Sequence, residues 1–442
     1  MMEWTMTEHA VLGPLPPIAL NPEQVEFVAV AFEGPDPYAQ AGGLGVRMTG
    51  LVRALASRGF RVHFFFIGDP ALPGVETEGS LTLYRWGQWI SRYHLEGVYA
   101  AEYEKKADLD QSLPAFIVEQ IAKPARQAGR RVAILTEEWQ TAETAIRISD
   151  LLHHAGLRNS AAILWNANHR MGLGQIDFSR LGYVATITTV SRFMRQLLGQ
   201  HGVNAVVIPN GIDSDWFHEP ARAEVERLRR LFSRPLLVKV GRFDPDKRWI
   251  TAVEAVAVLK ARGFRPTLVL RGGMEPHGAE VFGRARSLGL TVVELTMPGT
   301  PSREEVLSQL EALGPDADVV HLRTFLPKDM LRLLYRAADA VLVQSGFEPF
   351  GLVGLEVMAS GGIAITGGTG EDYARAFRNG LIADDDDPRR LADLVACAMS
   401  SKELRRDLVR EGRRTARTYH WDRILDELLA QISLAFSRQG GQ

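Results

Sequence analysis

Short apolar runs alternate with longer amphipathic segments along most of the chain. The apolar runs end in Gly, Asn or acidic residues, and amphipathic stretches of 10–18 residues follow them. Uniformly apolar strands that are separated by helices indicate parallel sheets covered on both faces. The pattern therefore predicts an α/β fold with two doubly wound, Rossmann-like domains. Strands are predicted at 25–32, 61–68, 131–137, 161–168, 185–190 and 205–210, and then at 236–241, 267–272, 291–295, 319–325, 340–345 and 362–367.

The boundary between the two predicted domains lies near Pro209-Asn210-Gly211, where the last strand of the first half ends. We expect an irregular arm over 1–24, an N-terminal domain over 25–212, a C-terminal domain over 213–418 and a final segment over 419–442. Two such domains leave a cleft between them. Ligands of doubly wound sheets bind at the carboxyl ends of the strands, so the residues that follow each strand are the candidates for a site.

Composition narrows the class of protein. The chain has 442 residues, of which 46% are hydrophobic and 24% charged, which excludes a disordered protein. Its formal net charge is −2, so it has no basic excess with which to bind nucleic acid. Cys397 is the single cysteine, so an internal disulfide is impossible, and no apolar stretch is long enough for a transmembrane helix. These features and the absence of a signal peptide predict a cytoplasmic protein.

A glycine-rich segment follows the first predicted strand. Gly42-Gly43-Leu44-Gly45 opens a helix, where bare backbone allows close approach and free N–H groups bind an anion or a sugar oxygen. Arg47 and Met48 follow Gly45, so the segment is not a dinucleotide-binding fingerprint. A flexible turn into the helix is the alternative interpretation.

Two cations follow the predicted strand 236–241. Arg242 and Lys247 stand beside the start of a helix, where they suit a diphosphate. Cations at this end oppose the helix dipole, so stability is a poor reason for their presence. Ion pairs with Asp244 and Asp246 are the alternative interpretation.

Two carboxylates and a helix start follow the predicted strand 340–345. Glu348 precedes the helix and Glu356 lies within it, and both can accept hydrogen bonds from the paired hydroxyls of a ribose or a hexose. The first-turn amides at 350–352 are unpaired donors that form a second anion site. Helix capping by Glu348 is the alternative.

The segments GGLG, PNGID, VGRFDPDKR, EPFGLVGLE and TGGTGEDY together resemble the retaining GT-B glycosyltransferases of family 4 and their glycogen and starch synthase relatives. The resemblance spans about 25–435 and is most specific in Arg-x4-Lys followed by Glu-x7-Glu. It implies metal-independent transfer of a hexose from a nucleotide diphosphate sugar to a hydroxyl acceptor, with retention. The sugar nucleotide is a co-substrate, so no cofactor is expected. The resemblance also implies that the helix in 419–442 returns to the first domain.

The resemblance implies donor contacts from both domains. The diphosphate would lie on the two cations, the donor sugar on Glu348, the ribose on Glu356 and the base near 321–326. The implied donor-binding residues are Gly43, Gly45, Arg242, Lys247, Thr324, Phe325, Glu348, Phe350, Gly351, Leu352 and Glu356.

The sequence departs from this family beside the donor sugar. Many relatives have a histidine after the strand that corresponds to 161–168; position matching puts Asn166 there, and His169 follows three residues later. Either could donate to a sugar hydroxyl. An Asp-Trp pair of glycogen synthases matches Glu138-Trp139, which suggests an acceptor-side role, with solvated acids at a helix start as the alternative. The catalytic candidates are Arg242, Lys247, Glu348, His169 and Asn166.

The remaining polar clusters have simpler interpretations. Asp384–Asp387 is expected to be a solvated loop in which Asp387 caps a helix, and no histidine spacing indicates a metal site. A small basic patch at 123–131 could contact a lipid or a phosphorylated acceptor, but a solvated surface is simpler. A nucleotide-sugar 2-epimerase and a non-catalytic nucleotide-sugar or glycan-binding protein are the alternative functions. The nucleotide base, the sugar, the acceptor and the oligomeric state are left open.

Overall fold

A computed structural model describes residues 20–313 and 317–439. The predicted arm over 1–24 lies outside these residues, except for 20–24. Within the described ranges, no helix combines the length and the apolar character that a membrane span requires.

The first sheet has eight strands in the order β3-β4-β2-β1-β5-β6-β7-β8, and all neighbours are parallel except β3 and β4. Its strands are β1 Val25–Val30, β2 Arg61–Ile67, β3 Val75–Glu78, β4 Leu81–Trp86, β5 Arg131–Glu137, β6 Ala161–Ala167, β7 Thr186–Thr189 and β8 Val206–Val207. The accompanying helices are α1 Gly43–Ser57, α2 Gln88–Ser91, α3 Glu102–Ile117, α4 Lys123–Gln127, α5 Ala142–His154, α6 Phe178–Val184 and α7 Arg192–Gly199.

The second sheet has seven parallel strands in the order β11-β12-β10-β9-β13-β14-β15. Its strands are β9 Leu236–Val240, β10 Thr267–Arg271, β11 Val292–Thr296, β12 Val319–Arg323, β13 Ala340–Val343, β14 Ala364–Thr366 and β15 Leu381–Ile382. The accompanying helices are α8 Arg222–Arg230, α9 Trp249–Ala261, α10 His277–Ser287, α11 Arg303–Leu313, α12 Lys328–Ala337, α13 Leu352–Ala359, α14 Pro388–Ser400 and α15 Lys402–Thr418.

Both sheets reverse their strand order next to their first strand. The reversal lies between β1 and β5 in the first sheet and between β9 and β13 in the second. Because the connections on the two sides of such a point run in opposite directions, their loops separate and leave a crevice at the carboxyl ends of the strands. The predicted α/β fold with two doubly wound sheets is confirmed.

The last helix, α16 Trp421–Gln439, packs on the first sheet's side of the molecule. Its apolar residues, among them Leu425 and Ile432, share a buried cluster with β1, β2 and α1. The chain passes between the two sheets twice, near Ile212 and near His420, and the two passages lie side by side. Ile212 N–H donates to the Tyr419 carbonyl at 2.9 Å, and Trp421 N–H donates to the Ile212 carbonyl at 3.3 Å.

Three strands were not predicted from the pattern. β3 is exposed at every position and β4 alternates between buried and half-buried residues, so neither is a continuous apolar run. β15 has only two residues. All three lie at or next to a sheet edge, where one face or one side of the strand meets solvent.

Candidate functional site

The two loops at the reversal point of the second sheet meet through an ion pair. Lys247 follows β9, Glu348 follows β13, and the Lys247 ammonium contacts Glu348 Oε2. Ser345 Oγ lies 3.2 Å from the same carboxylate oxygen. Thus the structure brings together two of the predicted catalytic residues.

Arg242 lies in the same loop as Lys247 and remains accessible. Its side chain is 58% exposed and lies 3.9 Å from Asp244. Asp244 has a second contact, because its carboxylate accepts the Asp246 N–H at 2.9 Å and so shapes the short turn that ends at Lys247. Asp246 pairs with Arg170 at 3.5 Å rather than with Lys247. The loop therefore keeps Arg242 available to a ligand.

Glu348 is positioned by the glycine-rich segment that follows β14. Gly370 N–H donates to the Glu348 carbonyl at 2.8 Å, and Glu348 N–H donates to Thr369 Oγ1 at 2.9 Å. Glu371 accepts the N–H groups of Gly367 and Thr369, both at 3.1 Å. Burial raises the pKa of Glu371 to about 7. Sequence reasoning missed Thr369 and Glu371, although TGGTGEDY was part of the resemblance.

The start of α13 supplies backbone donors next to Glu348. Gly351 has φ +82°, a left-handed conformation that favours glycine, and precedes the first residue of the helix. The amides of Phe350, Gly351 and Leu352 have no acceptor within the described parts of the chain. Tyr373 OH donates to the Gly351 carbonyl at 2.5 Å and fixes this turn. The predicted anion site therefore has free donors.

Glu356 lies one turn further along α13. Its carboxylate accepts no hydrogen bond from residues 20–313 or 317–439. Burial raises the pKa of Glu356 to about 7, although the nearby Lys328 ammonium opposes the shift. Lys328 is itself bound to Asp213 at 2.9 Å. A half-buried carboxylate without a donor is poised to accept hydrogen bonds from a ligand.

An exposed aromatic ring lies after β12, where the base was expected. Phe325 is 54% exposed, and the Arg271 guanidinium lies 5.8 Å from its ring centre. Arg271 Nε also donates to the Thr324 carbonyl at 3.3 Å, and Thr324 Oγ1 donates to the Met297 carbonyl at 3.1 Å. These contacts hold an accessible ring that a flat ligand can stack on.

The glycine-rich segment of the first sheet is bound by a carboxylate of its own chain. Glu33 Oε2 accepts the N–H groups of Ala41, Gly42 and Gly45 at 3.2, 2.9 and 3.0 Å. Gly45 therefore has no free donor, contrary to the expectation of free N–H groups there. A Cβ atom at Gly43 would lie 4.0 Å from Leu352, so this segment faces the start of α13 across the cleft.

Asn166 lies inside a buried polar network of the first sheet. Its amide donates to Glu137 Oε2 at 2.9 Å, and its Oδ1 accepts Thr188 Oγ1 at 2.8 Å. Glu137 is also paired with Arg47, whose other nitrogen contacts Asn210 at the predicted domain boundary. Both the nitrogen and the oxygen of the Asn166 amide are therefore hydrogen-bonded inside the first sheet.

His169 stands at the interface between the two sheets. Its ring lies 5.4 Å from that of Phe347. Burial lowers the pKa of His169, and the nearby Arg170, Arg242 and Lys247 charges lower it further, while Glu348 opposes them. His169 Nδ1 accepts the Met171 N–H at 3.1 Å, so the neutral ring carries its proton on Nε2. Of the two candidates, His169 is the one close to the cations of the second sheet.

Glu138 and Trp139 follow β5 at the reversal point of the first sheet. Glu138 has φ +70°, an unfavourable conformation for a non-glycine residue, and accepts the Asn168 N–H at 2.5 Å. Burial raises the pKa of Glu138 to about 8. Trp139 is 6% exposed and packs against Gly172, so its ring is buried. Sequence reasoning missed Asn168, whose buried Oδ1 has no partner within the described residues.

The acidic clusters do not form a metal site in the part of the chain that the structure describes. No group of three or more His, Cys, Asp or Glu side chains there is arranged to hold a metal ion. In the acidic loop, Asp387 accepts the Arg389 N–H at 2.9 Å, which confirms the predicted helix cap.

Sequence comparisons show which known proteins this chain is similar to. Residues 224–415 match the family model of glycosyl transferases group 1. The chain is 27% identical over 420 residues to a D-inositol 3-phosphate glycosyltransferase of Geodermatophilus obscurus, covering 89% of this chain and 85% of that protein. It is 28% identical over 419 residues to the protein of the same name from Acidothermus cellulolyticus, covering 88% of this chain and 85% of that protein.

Solved structures share the two-sheet architecture. Sucrose-phosphate synthase from Thermosynechococcus elongatus has a TM-score of 0.66 at 22% identity, covering 94% of this chain and 100% of that one. The catalytic domain of starch synthase IV from Arabidopsis thaliana has a TM-score of 0.66 at 19% identity, covering 95% of this chain and 100% of that one. These findings confirm the GT-B architecture and the similarity to glycosyltransferases, with a match to glycosyl transferases group 1 over residues 224–415, whereas membership of family 4 and retention stay predictions.

Proposed function

We propose that this enzyme transfers a hexose from a nucleotide diphosphate sugar to a hydroxyl acceptor, with retention at the anomeric carbon and without a metal ion. The observation that carries the proposal is the Lys247–Glu348 pair at the reversal point of the second sheet, beside unpaired amides. A cation, free N–H donors and a carboxylate at one point match a sugar diphosphate, which has both anionic oxygens and hydroxyls.

In this proposal the second domain binds the donor along the carboxyl edge of its sheet. Lys247 and Arg242 bind the diphosphate, and the amides at 350–352 donate to the phosphate or the sugar. Glu348 accepts hydrogen bonds from the sugar hydroxyls, and Glu356 accepts them from the ribose. The accessible Phe325 ring stacks on the base.

The reaction breaks the bond between the anomeric carbon and the diphosphate, so negative charge grows on the leaving oxygen. Lys247 and Arg242 bind that charge more strongly in the transition state than in the ground state, which lowers the barrier. His169 Nε2–H is a neutral donor for a sugar hydroxyl next to these cations. Retention follows from the resemblance, through a front-face path in which the leaving phosphate accepts the acceptor proton.

The experiment combines a donor screen with product analysis. Thermal shifts with UDP, ADP and GDP identify the base, and NMR of the fresh product formed from the matching α-linked sugar donor gives the linkage. We expect an α-linked product, and a β-linked product contradicts retention. Turnover of the donor to an epimer without an acceptor identifies a 2-epimerase, whereas nucleotide binding without any turnover identifies a binding protein.

A further inference from the structure

One arginine of the first domain contacts both loops that hold the Lys247–Glu348 pair. The Arg170 guanidinium lies 4.2 Å from the centre of the Phe347 ring, and Phe347 immediately precedes Glu348. Arg170 Nη2 also lies 3.5 Å from Asp246 Oδ2, and Asp246 immediately precedes Lys247. A single side chain of the first domain therefore touches the sequence neighbours of both members of the pair.

The Phe347 ring is held by further side chains of the first domain. The rings of His169 and Phe193 lie edge to face with it, each with a centre-to-centre distance of 5.4 Å. Such edge-to-face pairs are favourable, and a guanidinium within about 6 Å of a ring centre is attracted to the ring. These contacts fix the residue before Glu348 to the first domain, although Phe347 belongs to the second.

The loops around the pair are also bound to one another. Gly346 N–H donates to the Asp246 carbonyl at 2.7 Å, which joins the loop after β13 to the loop after β9. A second bond from the first domain reaches the glycine-rich segment after β14, because Arg192 N–H donates to Asp372 Oδ2 at 2.7 Å. That segment is the one that bonds the backbone of Glu348. A shift of Arg170 is therefore transmitted to both loops.

The ion pair of Arg170 is a poor source of stability. The side chains of Arg170 and Asp246 are 55% and 47% exposed. An ion pair between exposed groups contributes little net free energy, because solvent screens it and both side chains lose freedom. The exposure favours a role in the geometry of the site. It also leaves direct binding of the diphosphate by Arg170 as the alternative that a test has to separate.

We infer that Arg170 is a positioning residue, which acts through Phe347 and Asp246 to hold Glu348 and Lys247 in the orientation that the donor requires. The flat guanidinium can stack on the ring with its face while its edge contacts the carboxylate, which suits arginine for this place. The inference rests on the proposed function. It makes the geometry of the second domain's donor site depend on a side chain of the first domain.

Kinetics of variants in the two contacts test the inference. Arg170→Ala and Phe347→Leu should each lower kcat by about fivefold, with a smaller change in the Kd of whichever of UDP, ADP and GDP binds, because orientation matters most in the transition state. The double variant should be less than additive. Weaker nucleotide binding in Arg170→Ala together with a normal kcat in Phe347→Leu overturns the inference, since Arg170 then contacts the ligand itself.

Arg180→Ala is the matched control for Arg170→Ala. Arg180 is an arginine of the first domain that is 53% exposed and pairs with Glu143 of the same domain at 3.5 Å. Its exposure and its ion-pair distance therefore match those of Arg170, but its partner is not in the second domain. We expect Arg180→Ala to leave kcat unchanged, and an equal loss of kcat in both variants overturns the inference.

Amine labelling of the free protein tests the same contacts without turnover. Lys247 is 29% exposed, and Lys260 of the same domain, which is 47% exposed, serves as the internal reference. The labelling rate of Lys247 relative to Lys260, measured by mass spectrometry with an acylating reagent, should rise by about fivefold in Arg170→Ala and in Phe347→Leu. It should not rise in Arg180→Ala. An unchanged ratio in Arg170→Ala overturns the inference, whereas a raised ratio in a protein that transfers no sugar contradicts the proposed function alone.

Discussion

The Lys247 ammonium contacts the Glu348 carboxylate across the point where the second sheet reverses its strand order. The pair joins two loops that are 101 residues apart in the sequence. In the free enzyme each charge satisfies the other. When the donor binds, we expect the ammonium to contact the diphosphate while the carboxylate accepts sugar hydroxyls, so the pair holds both groups ready before the ligand arrives.

Replacing Lys247 by Ala should therefore lower kcat/KM by about 10–100-fold or more, since a hydrogen bond to a charged group contributes about 1.5–3 kcal/mol. Because the charge on the leaving diphosphate grows in the transition state, kcat itself should fall. Arg242→Ala should act in the same direction, and the double variant should be less than additive. Steady-state kinetics and melting temperature are measured on the same samples.

A matched control for these variants is Asp244→Asn, which removes the carboxylate near Arg242 but no cation. We expect Asp244→Asn to leave both kcat and the melting temperature nearly unchanged, because the Asn Oδ1 can still accept the Asp246 N–H that shapes the turn. If Lys247→Ala loses melting temperature but keeps a near-normal kcat, the ion pair is structural and the assignment to the donor is wrong.

The proposed contact of Glu356 with the ribose predicts that donor binding depends on pH. This pKa is about 7 in the free protein, so the carboxyl is protonated below that pH and accepts hydrogen bonds from the ribose less well. The Kd of the nucleotide should rise by about tenfold between pH 8 and pH 6, and Glu356→Gln should hold the weaker value throughout. Calorimetric titrations at several pH values check this, and parallel profiles for the two proteins contradict it.

Glu138 should make the free protein less stable as the pH rises. Its pKa is about 8 in the folded protein and 4.5 in the reference state, so the folded form retains the proton through this range while the unfolded form loses it. The free energy of unfolding should fall with increasing pH between these values by up to about 1.4 kcal/mol per pH unit. Glu138→Gln should remove this part of the slope, and Glu104→Gln should not. Melting curves from pH 5 to pH 9 compare the three proteins.

Metal removal should leave activity largely intact. Within the described ranges no cluster of ligands holds a metal ion, and the acidic loop contributes a helix cap at Asp387. EDTA should therefore have little effect on turnover, and so should Asp385→Ala together with Asp386→Ala. Loss of activity with EDTA that Mn²⁺ restores would show that metal independence is wrong.

A larger residue at Gly211 should destabilise the protein where the chain passes between the two sheets. A Cβ atom there would lie 2.3 Å from the Trp421 ring. Gly211→Ala should cost about 1–3 kcal/mol of stability because the indole has to move. Gly199→Ala is the control, since nothing lies within 4 Å of the added atom. Denaturant unfolding of both variants is the measurement, and equal stability would mean that the crossing adapts freely.

Local patterns were sufficient for the interior of the fold, because buried parallel strands such as β5 are continuous apolar runs that end at polar residues. The positions of candidate residues were predictable where a single segment contains them, as with Glu348 and the α13 amides. The partners of those segments were not. Glu33 accepts N–H groups of the glycine-rich segment, and Asn166 donates to Glu137 inside the sheet. These contacts join residues that are distant in the sequence, so residue spacing does not predict them.

The side-by-side crossing of Ile212 and His420 has a consequence for the topology of the chain. The second domain is inserted into the first. The chain leaves the first domain near Ile212 and returns to it near His420, so the two ends of the second domain are neighbours. A short linker between these two points would excise the second domain and leave α16 on the core that it covers. If the isolated first domain folds, titrating it with acceptors would test the proposed assignment of the acceptor to this domain.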